Sequence, residues 1–319
     1  MRKSGVGWAG WRPWLAGLAL LLLAGCAGGV QDCKLTMVTQ MPLTVEKRLL
    51  IVPAGINGHW VRLVVDTGAE RTVLSDETAA RLGLPHDPRF VSHTVGVGGM
   101  TTSTDVTLAG LVLGGVRFPV SHVAVNRLPL DGTAGLRADG LLGADILLAF
   151  DLDIDVPDQR LTLYRPRLCA DAHPPWPERA IPVAGVAARK DRLLLPIELD
   201  GVGGMAILDT GAQTTTIGVG LARKLGLDTQ AMAQDPAVRH IGAGPGSMVA
   251  HVHRFDELRI GPTVVRNVRL SVLPVDAGVG DALVGEDFLH GRRVWLSFLG
   301  RQVFVSPLLH EQAANELAR

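Results

Sequence analysis

The 319-residue chain has one tyrosine, three cysteines and no excess of charge, with 31 basic against 31 acidic residues. That balance gives no electrostatic footprint for a nucleic acid, which is bound through clustered Lys and Arg, so none is expected as a partner. The cysteines form no Cys-x-x-Cys pair and have no histidine at ligand spacing, which excludes the familiar zinc arrangements. There is no Gly-x-Ser-x-Gly for a serine hydrolase and no His-Glu-x-x-His for a zinc protease. The Gly-rich segments lack the spacing and strand–helix context of a dinucleotide fingerprint, and no cofactor is expected. Clear helical patterns are few, and the apolar stretch from Trp14 to Ala24 is short for a membrane span.

Glycine (38) and proline (19), within a hydrophobic content of 47%, suit short strands joined by turns. Runs such as Leu193-Leu194-Leu195 and Val264-Val265 are bounded by Gly, Pro or Asp. Ser75 to Leu82 reads as a short helix, with Ser75 as N-cap and Asp76 and Glu77 in its first turn. A stretch around Leu221 to Leu225 repeats it. The length exceeds what one core usually holds, so two lobes are expected.

The lobes are written into the sequence as a duplication. Asp66-Thr67-Gly68-Ala69 follows the apolar run Leu63-Val64-Val65, and Asp209-Thr210-Gly211-Ala212 follows Ala206-Ile207-Leu208, an offset of 209 − 66 = 143 residues. Close to the same offset, Arg81-Leu82-Gly83-Leu84 is matched by Lys224-Leu225-Gly226-Leu227, and Val95-Gly96-Val97-Gly98 by Ile241-Gly242-Ala243-Gly244. Leu111 to Gly114 pairs with Leu258 to Gly261, and Asp139-Gly140-Leu141-Leu142-Gly143-Ala144-Asp145 with Asp281-Ala282-Leu283-Val284-Gly285-Glu286-Asp287. Two carboxyls in equivalent settings suggest a pair meant to meet. Brought within hydrogen-bond distance they cannot both ionise readily, so they share a proton and form an acid beside a base. That is a device for hydrolysing peptides.

The N-terminus reads as an address. Arg2 and Lys3 precede the apolar stretch, which ends in Leu23-Ala24-Gly25-Cys26. Small residues before a cysteine resemble a bacterial lipobox, with an ordinary secretion signal or a short anchor as the alternatives. By that resemblance residues 1–25 are a lipoprotein signal peptide and Cys26 is lipidated, anchoring the protein to a membrane. Ala27 and Gly28 follow Cys26 without an Asp at the second position, which by resemblance to Gram-negative sorting implies the outer membrane, facing the periplasm. In an oxidising compartment Cys33 and Cys169 would pair as a disulfide, the alternative being two free thiols. Residues 26–44 are read as a tether, 169–190 as a stiff linker holding Pro174, Pro175 and Pro177, and 307–319 as a polar tail.

The paired Asp-Thr-Gly-Ala tetrapeptides, each followed by a hydrophobic-hydrophobic-Gly triplet, resemble the aspartic proteases of the retropepsin–pepsin superfamily. The triplets are Leu141-Leu142-Gly143 and Leu283-Val284-Gly285. The resemblance covers roughly residues 45 to 306. It implies a mainly β, bilobal aspartic-protease fold, with two homologous retropepsin-like β-barrel lobes over 45–168 and 191–306 and few short helices. Ala in fourth place is similar to the retroviral and bacterial branch, whereas both lobes on one chain, acting as a monomer, is similar to pepsin.

By the resemblance, Asp66 and Asp209 are the catalytic pair and hold a water between them. Thr67 and Thr210 would hydrogen-bond across the interface, and Gly68 and Gly211 would permit close approach and donate N–H groups to the carboxylates. The triplets would pack beneath these loops. Ala69 and Ala212 have no hydroxyl to stabilise a carboxylate, so the shared proton should persist to higher pH, with an optimum in mildly acid to near-neutral conditions. Gly96-Val97-Gly98-Gly99 and Gly242-Ala243-Gly244 sit where the family carries a mobile hairpin over the cleft, the alternative being plain turns. The flap tyrosine of pepsins is missing, since Tyr164 lies after the first triplet, and Pro245 should stiffen the second flap. Ala144 and Glu286 follow the triplets where retroviral enzymes often place Arg, and Glu70 becomes Gln213 in the second copy, which puts lobe-to-lobe salt bridges of the dimeric type in doubt.

His251 and His253, two apart on a strand, read as solvated or hydrogen-bonded side chains and not as metal ligands, and no metal is expected. Asp151, Asp153 and Asp155 alternate as on an exposed strand face. The function expected is an endopeptidase acting on an extended peptide or protein. The alternative is a catalytically inactive peptide-binding lipoprotein that retains the fold.

Overall fold

The computed structural model describes residues 34–130, 137–167, 173–189, 191–274 and 280–308. Cys26, Cys33 and Cys169, the whole of the signal stretch and residues 309–319 lie outside the described residues. The described chain from Leu35 onward belongs to one compact unit. No helix among the described residues is long and apolar enough to cross a membrane.

Short apolar runs alternating with turn residues form strands, and the two halves do so in the same order. In the first half, Leu49–Ile56 and His59–Val65 pair antiparallel around Asn57-Gly58. The second half repeats this with Arg192–Leu199 and Val202–Leu208 around Asp200-Gly201. Both turn residues take positive φ in each case, which is why Asn-Gly and Asp-Gly stand there. The next strands are Val73–Ser75 and its counterpart Thr216–Gly218. Long hairpins follow, His86–Gly96 with Gly99–Thr107 and Ala237–Ile241 with Ser247–Ile260.

The triplet strands Gly140–Leu142 and Ala282–Val284 insert parallel to His59–Val65 and Val202–Leu208 respectively. On their other side each pairs antiparallel with Val73–Ser75 or Thr216–Gly218. The outcome is a ten-stranded sheet in one lobe and an eight-stranded sheet in the other. Five helices of four to six residues complete the described chain. The first is capped by Ser75, whose hydroxyl accepts from the Thr78 N–H, with Asp76 and Glu77 in its first turn.

A third, six-stranded sheet joins the lobes. At its middle Asp151–Asp155 from the first half pairs antiparallel with Arg293–Ser297 from the second, with Asp153 opposite Trp295. Part of the stretch read as a tether, Met37–Pro42, forms an edge of this sheet, and Ile181–Pro182 of the Pro-rich segment forms the other. The three aspartates do not lie on an exposed face. Asp151, Asp153 and Asp155 are all buried, because their strand is central and covered on both sides. Arg293 satisfies Asp153 with two hydrogen bonds of 2.7 and 2.8 Å, and the Trp176 Nε1–H adds one at 3.1 Å. Arg160 donates to Asp155 at 2.6 Å. An alternating charge pattern reports which face residues share; it does not report what covers that face.

Candidate active site

Each Asp-Thr-Gly-Ala segment leaves the end of a strand and is held to the triplet strand beneath it. The Asp66 N–H donates to the Leu142 carbonyl at 3.0 Å, and the Asp209 N–H to the Val284 carbonyl at 2.9 Å. Gly143 and Gly285 are small because a Cβ at either would overlap the backbone at Arg71–Thr72 or Thr214. The loops are then locked across the lobe boundary. The Thr67 hydroxyl donates to the Leu208 carbonyl (2.7 Å) and accepts the Thr210 N–H (3.1 Å). The Thr210 hydroxyl donates to the Val65 carbonyl (2.6 Å) and accepts the Thr67 N–H (3.1 Å). Both threonines are buried, so these four bonds have no competition from solvent.

This lock brings Asp66 and Asp209 together, and their carboxyl groups hydrogen-bond to one another. Asp66 Oδ1 accepts the N–H groups of Gly68 (3.0 Å) and Ala69 (2.8 Å), and Asp209 Oδ1 accepts that of Gly211 (2.9 Å). Each glycine also faces the opposite carboxyl. A Cβ on Gly68 would overlap Asp209, and one on Gly211 would overlap Asp66. Burial pushes Asp66 up to about 8, the charge of Asp209 adds to this, and the N–H donors only partly offset it. Asp209 is also raised by burial, against the pull of the Gly211 and Ala212 N–H groups and the nearby Arg192. The pair acts as one acid that keeps a proton into the neutral range.

A second tier braces the loops. Asp145 accepts the Thr72 N–H (2.8 Å) and hydroxyl (2.7 Å), and Asp287 accepts those of Thr215 (both 2.7 Å). Those hydroxyls in turn accept the N–H groups of Gly143 (3.0 Å) and Gly285 (3.2 Å). The signal was present in the sequence: both aspartates close the repeated segment after the triplets, and both threonines recur at the offset of the catalytic candidates.

The doubt over lobe-to-lobe ion pairs is removed on one side. Arg192, from the second lobe, donates to the Gly68 carbonyl at 2.9 and 3.1 Å and pairs with Glu70 at 3.1 Å. On the other side a neutral contact takes its place, Gln213 donating to the Lys47 carbonyl at 2.8 Å. Glu286, where the first lobe has Ala144, is fully buried beside His290, and burial pushes its carboxyl up to about 7.

The two Gly-rich hairpin tips meet. The Gly98 N–H donates to the Ala243 carbonyl (2.9 Å) and the Gly246 N–H to the Gly98 carbonyl (2.8 Å). A Cβ on Gly96 or Gly98 would overlap the backbone of Ala243 or Gly244, and Gly242 lies against Val97. Gly99 and Gly244 turn the tips with φ of 104° and 107°. Ala243 packs against a buried apolar cluster of the first lobe that includes Val64 and Val73, so the second hairpin crosses from its own lobe to the other. The tips therefore meet at the lobe boundary, with the second reaching across to the first lobe.

Among the described residues no group of three or more His, Cys, Asp or Glu side chains is placed to hold a metal ion. His253 Nδ1 lies 2.7 Å from an Asp235 carboxylate oxygen, and His251 Nδ1 3.3 Å from the Asp235 carbonyl.

Comparison with known proteins agrees with the duplication. The family model for aspartyl protease matches twice, over residues 52–146 and 195–288. A DNA damage-inducible protein 1 from Yarrowia lipolytica is 31% identical over 121 residues, covering 37% of this chain and 28% of that protein. The UBA domain-containing protein Mud1 of Schizosaccharomyces pombe is 32% identical over 118 residues, covering 36% and 33%. The chain thus spans no more than a third of the length of these curated relatives. Among solved structures, the aspartic proteinase from Irpex lacteus matches with a TM-score of 0.49 and 15% identity, covering 86% of this chain and 98% of that one. With one family match on each half, together taking in more than half of its residues, and one Asp-Thr-Gly-Ala loop within each match, the chain belongs to the aspartyl protease family.

Proposed function

We propose that the protein is an aspartic endopeptidase that cuts an extended peptide lying between the lobes and beneath the two hairpins. The observation that carries this is the buried, hydrogen-bonded Asp66–Asp209 pair, an arrangement in which two carboxyls share one proton. In the proposed reaction the ionised carboxylate takes a proton from a water, whose oxygen attacks the scissile carbonyl carbon. The protonated carboxyl donates to the carbonyl oxygen. Collapse of the tetrahedral species breaks the C–N bond, and a carboxyl proton passes to the leaving amine. No covalent enzyme intermediate is required. The Thr67–Thr210 lock fixes the carboxyl separation, which is the geometric condition for sharing the proton.

Digestion of a mixed peptide library by the chain from Gln31 onward tests the reading. Cleavage that is blocked by pepstatin and absent from Asp66→Asn and Asp209→Asn is expected. Equal cleavage by parent and both variants would assign the activity to a contaminant. Peptide binding without cleavage would favour the rival, a binding protein that keeps the fold. We further propose that the protein is exported, acylated at Cys26, held by a Cys33–Cys169 disulfide and monomeric. Radiolabelled palmitate incorporation that Cys26→Ser fails to abolish would remove the anchor from this account.

A further inference from the structure

The two walls of the groove are built from equivalent positions but from different chemistry. In the first lobe, Val73 pairs with Ala124 on one side and Leu141 on the other, and Leu141 pairs with Val64. These four side chains, with Ile51 and Leu130, form an apolar cluster separate from the main core. It is this cluster that receives Ala243 from the opposite hairpin, so it faces the groove. Their sequence neighbours Leu74, Val125, Leu142 and Val65 point to the other face and belong to the main core.

The second lobe has the same pairings. Thr216 pairs with Ser271 and with Leu283, and Leu283 pairs with Ile207. Again the neighbours Ile217, Val272, Val284 and Leu208 lie in the main core. Thr216, Ser271, Leu283 and Ile207 therefore share the groove-facing side, with Thr216 where the first lobe has Val73 and Ser271 where it has Ala124. The Thr216 hydroxyl is buried and has no hydrogen-bond partner. A buried hydroxyl left unpaired is costly, and one beside a groove calls for a polar group to enter.

The second lobe's hairpin repeats the contrast at an equivalent position. His240 stands where the first hairpin has Thr94, and lies opposite Met248. Along Ala237–Ile241 the exposed residues are Ala237, Arg239 and Ile241, so His240 shares the inward side. It sits three residues before Ala243, on the hairpin that reaches across to the first lobe. Burial holds its imidazole below the usual range, so it is neutral at pH 7 and can both donate and accept.

We propose that the second-lobe wall is a hydrogen-bonding subsite, formed by Thr216 and Ser271 together with His240, and that substrates place an apolar side chain on the first-lobe wall and a neutral polar one, such as Ser, Thr, Asn or Gln, on the second. This rests on the endopeptidase reading and specifies its substrate class. A site built to hydrogen-bond a group discriminates strongly against its absence, because its own polar atoms are otherwise stranded.

Cleavage-site profiling of the parent, of Thr216→Val with Ser271→Ala, and of His240→Thr tests it. The parent is expected to select apolar residues on one side of the cut and Ser, Thr, Asn or Gln on the other. The double variant, which gives the second wall the polarity of the first, is expected to lower the polar preference by about tenfold in relative kcat/KM. His240→Thr should lower it by a smaller factor. An apolar preference on both sides in the parent overturns the inference, as does a double-variant profile identical to the parent's. Should the parent cut nothing, it is the endopeptidase reading that fails. Selection of binders from the same library on the Asp209→Asn protein then reads the preference without turnover: a polar residue at one position supports the inference, and apolar residues at both overturn it.

Discussion

Replacing Thr67 with Val removes one hydroxyl at nearly constant volume. That hydroxyl donates to the Leu208 carbonyl at 2.7 Å and accepts the Thr210 N–H at 3.1 Å, and Thr67 and Thr210 are 2% and 0% exposed. Two buried backbone groups lose their partners and no solvent can replace them. At roughly 1–3 kcal/mol for each stranded group, the variant should lose about 2 to 6 kcal/mol of stability. Thr67→Ser keeps the hydroxyl and gives up only a methyl group, so its loss should stay near 1 kcal/mol. Urea unfolding of the parent and both variants measures the difference. The lock also sets the carboxyl separation, so a loosened pair should release its shared proton at lower pH. The alkaline limb of the Thr67→Val rate profile would then move down, while that of Thr67→Ser would stay. If Thr67→Val proves as stable as Thr67→Ser, with the same profile, the threonines do not hold the carboxyls in place.

With Asp66 pushed up to about 8 and Asp209 raised above its ordinary 3.8, peptide cleavage should fall above about pH 8 and its acid limb should lie above the ordinary carboxylate range; a maximum below pH 3.5 would contradict this. Arg192→Met removes the cation that favours ionised Asp209, so the acid limb of the same profile should move to higher pH, and an unmoved limb would show that Arg192 acts only on Gly68 and Glu70. Glu286, pushed from 4.5 to about 7 by burial, binds its proton more tightly folded than unfolded. Its contribution is therefore complete below about pH 4.5 and is lost as pH rises through about 7, a change on the order of 3 kcal/mol that Glu286→Gln should abolish in pH-dependent unfolding. Arg293→Met strands the buried Asp153 carboxylate and should cost about 3–5 kcal/mol, whereas a loss under 1 kcal/mol would mean water reaches the sheet that joins the lobes.

Much of this architecture is local and therefore readable along the chain. The Asp-Thr-Gly-Ala loops need a turn, a close approach and a carboxyl in fixed order, and the duplication showed them twice. The Ser75 cap and the short strands between Gly, Pro and Asp likewise follow from neighbouring residues. Asp145 and Asp287 stood in the repeated segment, but their threonine partners lie more than seventy positions earlier, and nothing in the linear pattern joins them.

The residues alone determined that two equivalent carboxyl loops exist, that the chain is mostly strand, and that Gly-rich turns recur after each loop. Tertiary structure alone decided what each alternating face meets. It buried Asp151, Asp153 and Asp155, pairing Asp153 with Arg293 and Asp155 with Arg160, sent Arg192 across to Gly68 and Glu70, and left the Thr216 hydroxyl buried without a partner. The physical reason is that a strand's period of two separates its faces without saying which is covered, whereas burial and ion pairing depend on segments brought together from distant parts of the chain.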